Sequence, residues 1–176
     1  MPISKVAILG GVGVVAAAAN RETHLALNIS AGLYEVTLPD DWEHVPLESD
    51  GMAYFERTDK KLGVYVRALD FTSTEQAGHP EEIAQHVQQV HATSFQRLKE
   101  VPWTSAASEP QASTHGFSSI HVRYDAKNHY RIVSHVQVDG RQGCHITIHN
   151  YMCKDPRQSD REASNIIHTV RRATEA

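Results

Sequence analysis

The sequence predicts an α+β domain, an antiparallel sheet flanked by helices. Three observations predict it. Short aromatic and β-branched runs are joined by turn-forming residues, two amphipathic segments carry helix-start signals, and strands do not alternate regularly with helices. At 176 residues the chain suits one domain with a sizeable core, and no internal repeat or low-complexity linker divides it.

The elements follow in order. Residues 1–20 form an apolar segment whose core runs from Val6 to Ala19. That is shorter than the ~18–20 residues of a membrane-spanning helix, so no span is expected in the mature chain. Three readings stay open. A basic start at Lys5 and small residues at Ala17 and Ala19 fit a secretory signal cleaved near Ala19. Gly11-x-Gly13-x-x-Ala16 after KVAILG fits a dinucleotide-binding turn, although hairpins rather than strand–helix alternation follow it. An ordinary buried element is the third. The protein is periplasmic or exported under the first reading and cytoplasmic otherwise. No cysteine follows the run to carry a lipid anchor.

Leu33–Leu38 reads as a strand closed by the turn residues Pro39-Asp40-Asp41, and Trp42 restarts the chain. Met52–Arg57 and Leu62–Phe71 form a hairpin across Thr58-Asp59-Lys60-Lys61. His79-Pro80-Glu81-Glu82 starts a helix, with proline at its first position and acids in its first turn. Its apolar stripe is Ile83, Val87, Val90, Ser94, Phe95 and Leu98, and Pro102 stops it. Trp103 to Ser113 is a weaker edge strand interrupted by Pro110. Ser118–Asp125, His129–Val138 and Gly143–Met152 make a three-strand meander. A last helix begins after Asp155-Pro156 or at Ser159-x-x-Glu162, with Ala163, Ile166, Ile167 and Val170 inward and Arg171 and Arg172 at its end.

This order of elements, with the Leu-Pro-x-x-Trp turn at Leu38, Pro39 and Trp42 and the closing NIIHTVRR helix, resembles the PsbP-like family over residues 30–174. Its bacterial DcrB-like branch is the comparison the residues suggest. The resemblance implies an α/β/α sandwich and a family of binding and adaptor proteins. They include photosystem accessory proteins, a nuclear-transport GTPase binder, and bacterial chaperones or secretion accessories. It brings no catalytic residues and no cofactor.

Charge and chemistry narrow the function. Lys plus Arg number 17 and Asp plus Glu 21, a net charge of −4, which argues against a nucleic-acid partner. The 12 histidines would carry the charge to +8 if all were protonated (12 − 4). Pairing His129 with Asp125 and Val138 with Gln142 puts Ile120, Val122, Tyr124, Tyr130, Ile132, Val136, Val138, Cys144, Ile146 and Ile148 on one meander face. The other face then carries His121, Arg123, Asp125, His129, Arg131, His135, His145, Thr147, His149 and Tyr151. His135 opposite His145 becomes a candidate metal pair, and Arg123, Arg131 and His149 a row for a partner's acidic groups, with Trp42 supplying apolar contact. A merely solvated or helix-covered polar face explains the same residues.

The remaining chemistry is sparse. Cys144 beside His145 is not a nucleophile–base pair, since strand neighbours point to opposite faces. Nine strand steps put Cys144 and Cys153 about 30 Å apart, too far for a disulfide without a bend. Asp40, Asp41, Glu43 and His44 around Trp42 read as turn and capping residues, and Trp42 and Trp103 as core anchors unless exposed. The leading expectation is a non-enzymatic module that binds another protein. Its most concrete form is a bacterial secretion-associated adaptor, chaperone or immunity protein acting on a secreted effector. The alternative is a metal-binding or metal-dependent enzyme using the histidine face.

Overall fold

The computed structural model describes residues 6–9, 12–16, 26–47, 51–72, 79–96, 104–107, 111–113, 116–125 and 127–173. Trp103, Leu98 and Pro102 lie outside them.

The first strands are β1 (Val6–Leu9), β2 (Val12–Ala16), β3 (Leu27–Ala31), β4 (Tyr34–Leu38) and β5 (Trp42–Val45). The hairpin β6 (Met52–Arg57) and β7 (Leu62–Asp70) precedes α1 (Pro80–Gln96) and the short strands β8 (Thr104–Ala107) and β9 (Gln111–Ser113). The meander is β10 (Gly116–Asp125), β11 (Tyr130–Asp139) and β12 (Gln142–Asn150), followed by α2 (Pro156–Ile167) and β13 (Arg171–Arg172).

Two antiparallel sheets result. The smaller has the order β1-β2-β3-β4-β13, and the larger β5-β6-β7-β12-β11-β10-β8 with β9 also on β10. The smaller sheet and α2 pack on one face of the larger sheet, and α1 packs on the other. The main core lies between the sheets: Ile29, Tyr34, Val36 and Leu38 from one side meet Phe55, Val64, Val66, Cys144, Ile146 and Ile148 from the other. Trp42 joins this core at 5% exposure, so it is an anchor and not an exposed contact. A second cluster under α1 contains Ile83, Ala84, Leu69, Val136 and Val138. The α+β sandwich is therefore the one the sequence predicts.

Three details differ. The apolar segment is a hairpin, Leu9 opposite Val12, and β2 runs along β3 with Gly13 opposite Ser30. Gly13 thus sits in a strand ladder and not in a strand-to-helix phosphate turn, which removes the dinucleotide reading. The final arginines do not extend α2. The helix opens on Asp155, whose carboxylate accepts from the Arg157 amide at 2.9 Å, with Pro156 following. It closes where the Thr169 hydroxyl donates to the Thr37 carbonyl. Arg171 and Arg172 then pair as a strand with β4, salt-bridged to Glu35 and Asp139. The Trp103–Ser113 strand is split in two, with Pro110 between the pieces.

Candidate functional site

The meander register differs from the expected one at both turns. Asp125 pairs with Tyr130, and His129 belongs to the turn at φ +54°, where the Asp125 carboxylate accepts from the Lys127 and Asn128 amides. Asp139 pairs with Gln142 across a two-residue Gly140-Arg141 turn, with Gly140 at φ +59°. Each shift is one residue, so β11 is turned over relative to both neighbours.

The predicted site residues separate accordingly. His135 faces the inter-sheet core, paired with Ile120 and Ile146, whereas His145 is on the other face opposite Val136. The two cannot share a metal, and no group of three or more metal-donor side chains converges among the described residues. His135 is 4% exposed, its Nδ1 meets no partner among the described residues, and burial pushes its pKa down to about 4. Arg131 also turns to the core-side face, where it holds Asp160 of α2 at 2.5 Å and lies over the Tyr124 ring. Arg123 stays with His149 on the α1 side, in the row Arg123–Ile132–His149. Both are buried. Arg123, Arg131, His149 and Trp42 therefore do not form one surface. Cys144 is fully buried, with its pKa pushed up to about 12, and is not a nucleophile.

What the α1 side presents instead is a cleft. Reading across the ladder, Met52, Arg67, His145, Val136 and Ser119 form one row, and Tyr54, Tyr65, Thr147, Ser134 and His121 the next. The helix rests on the β10–β11 half of these rows, and among the described residues the β6–β7–β12 half opens into a cleft. The resulting space of about 550 Å³ is lined from the sheet by Met52, Tyr65, Arg67, Leu69, Phe71, His145, Thr147 and His149, and from α1 by His86, Val87 and Val90. Val90 belongs to the predicted buried stripe yet is 53% exposed. The inward face of α1 is rotated toward Ile83, Ala84 and Gln88, and Val90 is left at the cleft wall.

Gln88 fixes the polarity at the bottom of this arrangement. Its amide nitrogen donates to the carbonyls of Ser119 and Ser134, at 3.1 and 3.2 Å, so its oxygen must accept. The Ser134 hydroxyl gives its one proton to that oxygen at 3.0 Å. It therefore accepts from Nε2–H of His145 at 2.7 Å. A nucleophilic serine needs the opposite direction, its proton passing to the imidazole. Ser134 is also 1% exposed.

One end of the cleft is an aromatic pillar. Tyr54 stacks on Tyr65 at 4.4 Å, Tyr65 meets His149 edge-on at 5.0 Å, and Tyr130 stacks on Tyr151 at 5.5 Å. Tyr130 hydrogen-bonds Nδ1 of His149, and the Tyr54 and Tyr151 hydroxyls meet at 3.1 Å over Gly63. Burial raises the pKa of Tyr54, Tyr130 and Tyr151, keeping these phenols protonated. Sequence reasoning concentrated on the meander and missed Met52, Tyr65 and Arg67. The signal was the period-2 alternation of the first hairpin, which puts Tyr65, Arg67 and Leu69 opposite the apolar Val64, Val66 and Ala68.

No family model matches the sequence, and no curated protein sequence matches it. Solved structures do match. The solution structure of cyanobacterial PsbP (CyanoP) from Synechocystis sp. PCC 6803 is similar with a TM-score of 0.60 and 9% identity, covering 89% of this chain and 98% of that one. The Ran-binding protein Mog1p of Saccharomyces cerevisiae matches with a TM-score of 0.50 and 9% identity over 85% of this chain and 96% of its own. A Mog1 point mutant gives a TM-score of 0.52 at 8% identity over 85% and 95%. The chain thus has the PsbP/Mog1-like α+β fold. These likenesses concern the fold and do not favour the DcrB-like branch.

Proposed function

We propose that the protein is a non-enzymatic protein-binding module that docks its partner at the cleft between α1 and the β6–β7–β12 half of the large sheet. The observation that carries this reading is a sheet face half covered by the described residues: α1 rests on the β10–β11 side of a continuous sheet, and the other side presents Arg67 among apolar side chains. The fold is shared with a Ran-binding protein, which supports a binding role. The Ser134–His145 polarity supports the same reading against hydrolytic chemistry. At a finer grain the proposed role is a bacterial secretion-associated adaptor, chaperone or immunity protein, with a secreted effector as the partner.

The cellular compartment depends on residues 1–19. A natural amino terminus near Asn20 places the mature protein outside the cytoplasm and removes β1 and β2 from the small sheet. A terminus at Met1 or Pro2 keeps the hairpin and favours the cytoplasm.

Site-specific photocrosslinking in the source organism tests the docking face. A photoreactive amino acid at position 90 should give a discrete adduct with one protein, and the same group at exposed position 157 on α2 should not. Identical adducts from both positions, or none from either, would overturn the proposal.

A further inference from the structure

We infer that the cleft recognises an extended segment of another protein in which carboxylate side chains alternate with aliphatic or aromatic ones. This rests on the protein-binding reading above and adds the chemistry of the partner. The lining combines two classes of group. Met52, Leu69, Phe71, Val87 and Val90 make an apolar surface, and Arg67, His86 and His145 stand among them. No Asp or Glu lines the cleft among the described residues, in a chain where acids outnumber Lys and Arg by 21 to 17. The acids of α1 itself, Glu81 and Glu82, are in its first turn, where Glu82 accepts from the His79 amide.

Arg67 is the arginine that lines the cleft, and it shares with the exposed Arg157 and Arg161 of α2 the lack of an ion pair among the described residues. Arg57, Arg131, Arg171 and Arg172 each hold a carboxylate of this chain. Arg67 is exposed and has no ion-pair partner among the described residues. It lies directly opposite His145 in the ladder, about 5 Å away at Cβ, and since the imidazole's Nε2–H is given to Ser134, Arg67 is the anion-binding group of that row. His86 adds a second from the helix wall. A free small acid would engage one of these positions, whereas a segment with repeated carboxylates can engage both walls.

Backbone pairing excludes one mode of recognition. β6, β7 and β12 are paired on both sides, to β5, to one another and to β11, so the cleft floor has no strand edge for a peptide to extend. Recognition must come from side chains, apolar ones against Leu69, Phe71 and Val90 and charged ones against Arg67. The volume of about 550 Å³ is that of a pocket for several side chains.

Selection of a random displayed peptide library on the full chain tests this, followed by anisotropy measurements on an enriched, labelled peptide. Enriched peptides should combine Asp or Glu with Leu, Ile or Phe. Arg67→Glu and Val90→Asp, both at exposed positions, should each weaken binding about tenfold or more, with Arg157→Glu within about twofold of wild type. Thermal melts establish that the variants fold. Absence of acidic enrichment overturns the inference, whatever the crosslinks show. So does direct binding of dodecanoate, measured by calorimetry, with no peptide selected, which would make the cleft a site for small acids. Peptides that bind regardless of Arg67 and Val90 remove this inference and leave the protein-binding reading standing. No enrichment together with no crosslink at position 90 removes both.

Discussion

Gly63→Ala should destabilise the protein far more than its single methyl group suggests. A Cβ at position 63 would lie 2.6 Å from the Tyr54 hydroxyl, 2.7 Å from Tyr54 Cε2 and 2.7 Å from the Tyr151 hydroxyl. Neither ring can swing away freely, because Tyr54 is stacked on Tyr65 and Tyr151 on Tyr130. Overpacking of this kind costs about 1–3 kcal/mol, and losing the Tyr54–Tyr151 hydrogen bond about 1 kcal/mol more. Relief of glycine's unfolded-state entropy returns roughly 0.5–1 kcal/mol. The net expectation is a loss of about 2–3 kcal/mol, or roughly 4–12 °C in Tm for a domain of this size. The assay is urea and thermal unfolding of wild type, Gly63→Ala, Tyr54→Leu and the double variant. Removing the Tyr54 ring should make Gly63→Ala at least ~1 kcal/mol cheaper. A Gly63→Ala variant melting within about 2 °C of wild type would refute the reasoning. So would an unchanged cost in the Tyr54→Leu background.

Three further outcomes are expected. Gln88→Leu leaves the Ser119 and Ser134 carbonyls and the Ser134 hydroxyl without their shared partner. It should cost about 2–4 kcal/mol in denaturant unfolding, against about 1 kcal/mol for Ser134→Ala, and equal costs would contradict the network. Burial lowers the His135 pKa from 6.5 to about 4, so the unfolded chain binds a proton that the folded chain refuses. Stability should be full above pH 6.5 and fall by about 3 kcal/mol as the pH drops toward 4. His135→Leu should flatten that slope, and an unchanged slope would reassign it to other groups. Burial raises both thiol pKa values, Cys144 to about 12, so neither should react with a thiol reagent at pH 8 until the protein unfolds. Fast labelling of either in the native state would overturn this.

The sequence was most legible where chemistry is local. Pro80 and the acids after it mark α1, Asp155-Pro156 marks α2, and the aromatic runs mark β6 and β7. The register was not read correctly, although both turns carried signals. Asp139-Gly140 is the pattern of a two-residue hairpin turn, and a three-residue reading displaces the strand by one. At the other turn, the Asp125 carboxylate capping two following amides extends the loop through His129. The expectation that burial would prefer one wholly apolar meander face also misled. That argument assumes a single covering layer. Here the larger sheet is covered on both faces, by the smaller sheet and α2 on one and partly by α1 on the other. Each face therefore needs some apolar positions, Val136 and Val138 for α1 and Ile146 and Ile148 for the inter-sheet core.

That same inversion decides what chemistry the candidate site can do. With β11 in the expected orientation, His135 would stand beside His145 and two imidazoles could invite a metal. In the actual orientation the position nearest His145 is occupied by a serine whose proton is committed to Gln88, itself committed to two backbone carbonyls. Each link removes a degree of freedom from the next. His145 is left holding Ser134 through Nε2 on one side and facing Arg67 across the ladder on the other. With the His145 proton given to Ser134, the exposed Arg67 guanidinium opposite it is the group suited to meeting a carboxylate, and no group of three or more metal donors converges there among the described residues. The arrangement on which the proposed binding role rests thus follows from a one-residue choice in two turns that lie outside the cleft.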